Sequence, residues 1–252
     1  VVTAAHHLLG NHDRELELAS QGYRLNPDRM LMLAWEVRAL AGLGRWEEIK
    51  PLLARAGSIR GPDRMTTGTV MLMGAHELRR HGYDDEALAC LDEALNWVSS
   101  RALENPGSEG LRAFRAQVLY HKGTLEKKRE SEEAAAALRQ ARLEFEALAE
   151  AAPENLSSLG HLGAVLAHLG NTTKARELSD SLRALDRPYL RGQHTLWRAR
   201  IAALLGERDE AVRLLWQSVG EGISFGMSMH ADPDLEPLLG YPPFEEFIRP
   251  KG

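Results

Sequence analysis

The chain reads as an all-helical fold built from stacked helix pairs and closed by a C-terminal capping segment. Three observations carry this reading. Leu, Ala, Arg and Glu dominate a sequence with few β-branched runs, which favours helix over strand. One unit recurs: an apolar-periodic stretch, a short turn with glycine, then a second stretch with a small residue a few positions in. The last stretch, "HADPDLEPLLGYPPFEEF", breaks that pattern with its prolines.

The elements follow in order. "HLLGNHDRELELA" turns at Gly10, "RALAGLGRWEEIKPLL" at Gly44 and "ELRRHGYDDEALACLDEAL" at Gly82. Residues 99–110, "SSRALENPGSEG", are rich in Ser, Gly and Pro and read as a loop, so a break in the array is expected there. Gly123, in "LYHKGTLEKK", is a weaker sixth turn. The stretch after it reads as a long second helix, or a helix with an extended loop, ending at Pro153. "VLAHLGNTTKARELSDSL" turns at Gly170 and "IAALLGERDEAVRLL" at Gly206. Successive turn glycines are 34, 38, 41, 47 and 36 residues apart.

Glycine ends the first helix of each unit in the left-handed conformation that a Cβ disfavours. Acids just after it, such as Asp84 and Asp85, start the second helix at the positive end of its dipole. The small residue five positions after the glycine (Ala87, Ala175, Ala211) lets the two helices pack closely. The apolar residue four further on (Leu53, Leu91, Leu215) fills the gap between them. Glu15 and Ile49 stand where the small residue is expected. A single pair cannot bury its apolar face alone, so pairs must stack.

These features resemble the tetratricopeptide repeat family. "GNHDRELELASQGYRLNPD" carries the family's terminal proline as Pro27. "LGHLGAVLAHLGNTTKARELSDSLRALDRP" places Leu162-Gly163 at the family's Leu-Gly pair, then Gly170, Ala175 and Pro188. The resemblance covers roughly residues 1–220. It implies a right-handed α-solenoid of about six such helix pairs, with residues 221–252 as a C-terminal cap of short helices. In this family the first helices of the pairs line a concave groove that holds a peptide or a partner helix. Carried over, that groove would present Arg38, His76, Arg79, Gln193, Leu196 and Arg200, with small Ala164 and Ala167 between them. Arginine forks make bidentate contacts to carboxylates, so the implied partner is an acidic or C-terminal segment. The alternative is that these residues are solvated and paired with acids of the chain itself. The Asn/Lys pattern of the family's carboxylate clamps for chaperone tails is missing.

Composition narrows the rest. The chain is 44% hydrophobic and 27% charged, ordinary for a globular protein. Its net charge of −5 gives no reason to expect a nucleic-acid backbone as partner. No apolar run is long enough to cross a bilayer, and no signal peptide is visible. The single cysteine, Cys90, excludes an internal disulfide and fits a reducing compartment. It falls in a second helix, where a buried structural thiol is expected. A cytoplasmic location follows, or an extracytoplasmic one where a membrane segment precedes Val1. The opening "VVTAAHHLLG" reads as the inside of a helix, so a longer parent protein is expected.

No motif for catalysis stands out. The chain has no H-E-x-x-H and no phosphate-binding glycine loop. His6, His7 and His12 cluster in sequence, and His76 and His81 lie five apart. That spacing misses the i, i+4 face on which one helix presents two metal ligands, so no metal site and no cofactor are expected. The charge run at 126–133, "EKKRESEE", reads as a solvated helix face held by i, i+4 pairs. In the tail, Asp232, Asp234 and Glu236 lie two residues apart beside His230. Neighbours two apart diverge on a helix, so Asp232 is read as an N-cap, Pro233 as the first helical residue and the acids as dipole partners.

The first functional reading is therefore a non-catalytic protein- or peptide-binding scaffold. The second is a regulatory or sensor region of a bacterial signalling protein. "DPDLEPLLGYPPFEEFIRPKG" resembles the end of tetratricopeptide regions in multi-domain serine/threonine kinases and nucleotide cyclases. An all-helical metal-dependent enzyme is the weakest of the three. The ends of such arrays can stack, so a homodimer is among the expected assemblies.

Overall fold

In a computed structural model, residues 2–59, 65–230 and 232–249 are described, and every regular element among them is helical. They form two compact units, Val1–Glu104 and Asn105–Gly252. The first unit holds three helix pairs: α1 (Val2–Leu8) with α2 (His12–Leu25), α3 (Met30–Gly42) with α4 (Trp46–Ala56), and α5 (Thr67–Arg80) with α6 (Asp84–Glu104). The second holds three more: α7 (Glu109–Lys128) with α8 (Glu133–Ala151), α9 (Leu156–His168) with α10 (Thr172–Ala184), and α11 (Gln193–Leu204) with α12 (Arg208–Gly220). A short α13 (Met227–His230), a 3-10 helix over Pro233–Leu238 and α14 (Pro242–Ile248) follow.

The turn chemistry read from sequence is present at five positions. Gly10, Gly44, Gly82, Gly170 and Gly206 all have φ between 67° and 81°. Ala87, Ala175 and Ala211 are fully buried, and Leu53, Leu91 and Leu215 pack close by in the core. Within each unit the first helices also touch one another, α3 with α5 and α9 with α11, so the pairs stack. From α3 onward the first helix of each pair buries more residues than the second. α9 buries an unbroken run from Ser158 to Leu166, whereas α10 buries only Ala175 and Leu182. Gly163, of the Leu-Gly pair, sits at a close approach of α9 and α11: a Cβ there would lie 2.5 Å from Ile201 Cδ1.

Three local expectations are corrected. Gly123 is not a turn but an interior residue of α7, where a Cβ would meet Leu138 Cγ at 2.7 Å. Its missing side chain serves the α7–α8 contact, and the turn falls seven residues later, with Glu130 at φ 58°. The charge run at 126–133 therefore spans the end of α7 and a turn rather than one solvated face, and Glu126 is buried. Residues 99–104 continue α6, so the expected loop shrinks to 105–108. There Ser108 caps α7 by accepting from Leu111 N. No helix among the described residues is long and apolar enough to cross a membrane.

The tail packs apolar side chains onto the last pair. Leu235, Leu238, Phe244, Phe247 and Ile248 share a core with Ala199, Ala203, Leu214 and Leu215. Trp216 meets Phe247 edge to face at 5.0 Å. Leu239, beside them in the sequence, is 44% exposed. Pro242 opens α14, and Glu245 reaches back to accept from Gly240 N at 2.9 Å. Residues 250–252 of the expected cap lie outside the described residues.

Candidate partner-binding surface

In the first unit, Arg38 of α3 is buried and turned toward α2. The cause is Glu15, the residue that replaces the small side chain of the repeat. Glu15 is fully buried, and its Oε1 accepts from Arg38 Nε at 2.6 Å and lies 2.5 Å from Nη2. Its Oε2 faces His7 Nδ1 at 2.9 Å and His12 Nδ1 at 3.2 Å. Burial pushes the Glu15 carboxyl up, but the His7 hydrogen bond and the Arg38 charge outweigh it and hold the group below its ordinary value. A carboxylate only accepts, so both Nδ1 atoms carry the donated protons.

Glu77 of α5 extends the cluster: His81 Nε2 lies 2.9 Å from its Oε1, and His7 Nε2 lies 3.4 Å from the same atom. Arg79 is buried on the same helix and His76 is half-buried. The Arg38 fork is therefore engaged inside the chain, as in the alternative weighed for the groove residues. Cys90 is buried too and donates to Met71 O at 3.4 Å. Burial, then the Glu93 charge, pushes its thiol up to about 12.

In the second unit, Arg200 of α11 is taken by the tail. Its Nε and Nη2 lie 2.8 and 2.7 Å from Asp232 Oδ2. Its guanidinium carbon lies 4.3 Å from the centre of the Trp197 ring. Burial opposes the Arg200 charge, but Asp232 and Asp234 outweigh it and hold the guanidinium above its ordinary value. Asp232 Oδ1 accepts from Asp234 N at 3.0 Å, which makes it the expected N-cap with Pro233 following. Asp234, in the first turn as expected, is 3% exposed and accepts a hydrogen bond from the hydroxyl of Tyr120 on α7. Among the described residues the three tail acids do not converge on a common point, because Arg200 and Tyr120 each claim one.

Aromatic rings floor this contact. His161 stacks on Phe145 at 4.9 Å and tilts against Trp197 at 4.4 Å, and Tyr120 lies 5.9 Å from His161. Gly160 makes room, since a Cβ there would stand 2.0 Å from Trp197 Cδ2. Of the expected groove residues, Leu196 packs on the tail core and Gln193 is exposed. Gln193 lines an open cleft of about 600 Å³ with Arg187 and residues 152–157. Ala164 is fully buried and Ala167 half-buried. Arg38, His76 and Arg79 belong to the first unit; Gln193, Leu196 and Arg200 belong to the second. Sequence reasoning missed Glu15 and Asp232 as partners of the arginines, and Tyr120 as the partner of Asp234. Only Glu15 carried a signal, as a charged residue at a small-residue position.

Among the described residues, the one arrangement of side chains able to hold a metal ion is His7, His12 and Glu15. No family model matches the chain, and no curated protein matches it. Among solved structures the chain is similar to BtubC (BKLC) from P. vanneervenii. The identity is 18% over 86% of this chain and 91% of that one, with a TM-score of 0.44. It is also similar to a chain of Naa15/Naa10 bound to HypK-THB. There the identity is 17%, over 98% of this chain and 34% of that one, with a TM-score of 0.34.

Proposed function

We propose that the chain is a non-catalytic module that binds a protein or peptide, and that α7 and α11 of the second unit offer the site for an acidic segment. The Arg200–Asp232 contact carries this reading. A guanidinium backed by the Trp197 ring already holds a carboxylate in a capped turn, and Tyr120 takes the next acid, Asp234. A partner segment with the same Asp-Pro-Asp chemistry meets the same donors and competes with the chain's own tail. Charge-assisted bonds of this kind are about twice as strong as neutral ones, so they set specificity for acids.

The test is fluorescence anisotropy with a labelled acidic peptide carrying Asp-Pro-Asp-Leu. Wild type, Asp232→Asn and Arg200→Ala are compared. Asp232→Asn should bind more tightly than wild type, because the internal competitor is weakened, and Arg200→Ala should bind least. Equal binding by all three would sink the reading.

The tail sequence supports a second reading, a regulatory region of a bacterial signalling protein of the kinase or cyclase type. The resemblance of "DPDLEPLLGYPPFEEFIRPKG" carries it. Reading the gene upstream of the codon for Val1 tests it directly; an upstream region without a kinase, cyclase or other signalling domain would end it.

A further inference from the structure

We propose that His7, His12 and Glu15 form a binding site for a divalent transition-metal ion of the zinc class, with Glu77 as the outer carboxylate that orients His7. The proposal starts from an oddity of sequence. At the position where Ala87, Ala175 and Ala211 sit, this pair buries a carboxylate completely. Burying a charge is costly unless each oxygen is matched. Arg38 matches Oε1; Oε2 is turned to two imidazoles.

The geometry suits an ion. His7 Nδ1 and His12 Nδ1 stand 2.9 and 3.2 Å from Glu15 Oε2, and the three ligand atoms all lie within 4.8 Å of one another. A tetrahedral ion with bonds of about 2.0 Å has ligand–ligand edges of about 3.3 Å, so these side chains need to part by only tenths of an ångström on the two nitrogen–oxygen edges. Two histidines and one carboxylate leave a fourth position for water.

The surroundings fit as well. A metal on Nδ1 requires the imidazole proton on Nε2, and His7 Nε2 faces Glu77 Oε1 at 3.4 Å. A carboxylate on the far nitrogen is the usual support of a metal-bound histidine. His81 steadies Glu77 from the other side, and its ring packs edge to face on His12 at 4.7 Å. Gly42 clears the space for the His12 ring, since a Cβ there would stand 2.7 Å from Nδ1. A dication here would sit beside the carboxylates of Glu15 and Glu77. The histidines come from α1 and α2, so a bound ion would pin the first turn of the chain.

The untagged full chain is titrated with zinc against a chromophoric chelator, and with cobalt followed by visible absorption. One ion per chain and a cobalt band of tetrahedral intensity are expected. His7→Asn with His12→Asn should abolish both while keeping the helical circular dichroism. Glu77→Gln should weaken binding about tenfold, as loss of an outer carboxylate does. His194→Gln, in the second unit, should bind as wild type. Affinity should fall as pH is lowered, because protons compete for the ligands. A wild-type chain that takes up no ion, or a double variant that still binds one, overturns the proposal. The wild-type titration decides even where the double variant fails to fold.

Discussion

Arg200 of α11 and Asp232 of the tail form a two-pronged ion pair, with Nε and Nη2 at 2.8 and 2.7 Å from the same carboxylate oxygen. The pair joins the last repeat to the segment that covers it. Removing one partner leaves the other charge largely shielded from water. Asp232→Ala is expected to cost about 3 kcal/mol, near the low end for breaking buried pairs. A double-mutant cycle with Arg200→Ala, read from urea midpoints, should give a coupling of at least about 1 kcal/mol. A coupling near zero would make the contact incidental.

The tail buries apolar surface that would otherwise face water. Deleting residues 231–252 uncovers Leu214, Leu215 and Ala199, which share its core. Solenoid ends need such a cover for solubility. The truncated chain is expected to melt lower and to aggregate, as followed by thermal denaturation and light scattering. A monodisperse product with an unchanged melting temperature would contradict this.

Glu15 makes the first unit sensitive to acid. Its folded pKa lies below its ordinary value of 4.5, so the ionised group stabilises the fold fully above that pH. The contribution is lost as pH falls through the folded pKa. Glu15→Gln should lower stability at pH 7 and show a shallower decline between pH 5 and roughly 3. Urea midpoints across that range report it, and parallel curves for the two proteins would refute it.

Gly160 tests close packing against helix propensity. Alanine gains about 1 kcal/mol over glycine in a helix interior. At this site the new Cβ would stand 2.0 Å from Trp197 Cδ2, and overpacking costs roughly 1–3 kcal/mol or more. Gly160→Ala should therefore destabilise, by about 1–2 kcal/mol net. Gly220→Ala, with nothing within 4 Å, should be neutral or slightly stabilising. A stabilising Gly160→Ala would show that the α9–α11 contact yields easily.

Cys90 should be inert in the folded chain. Its thiol is pushed up to about 12 and shielded from solvent, and only the thiolate reacts. An aromatic disulfide reagent at pH 8 should label it only at the rate of unfolding, and immediately in denaturant. Rapid labelling of the native chain would rule out a buried thiol.

Much of the helix-pair organisation was legible because its determinants are local. Gly82, Asp84 and Ala87 lie within six residues of one another, so turn, helix start and helix contact are all written in one short stretch. Gly123 misled because glycine serves two ends: a left-handed turn and a close helix approach look alike in sequence, and Leu138 decides between them. The loop expected over 99–110 was drawn too long, since α6 runs on through Ser99, Ser100 and Arg101 on helix propensity that the nearby Pro106 does not reach.

By itself, the sequence determined the all-helical class and the pairing of helices across glycine turns. Period and turn chemistry act over a few residues, and a linear reading captures them. Only the tertiary structure decided which charges meet. Arg38 finds Glu15 across 23 residues, Arg200 finds Asp232 across 32, and Tyr120 finds Asp234 across 114. Those partners are chosen by how helices stack and where the tail returns. The same stacking brings His7 and His12 onto one carboxylate although their spacing fits no single helix face.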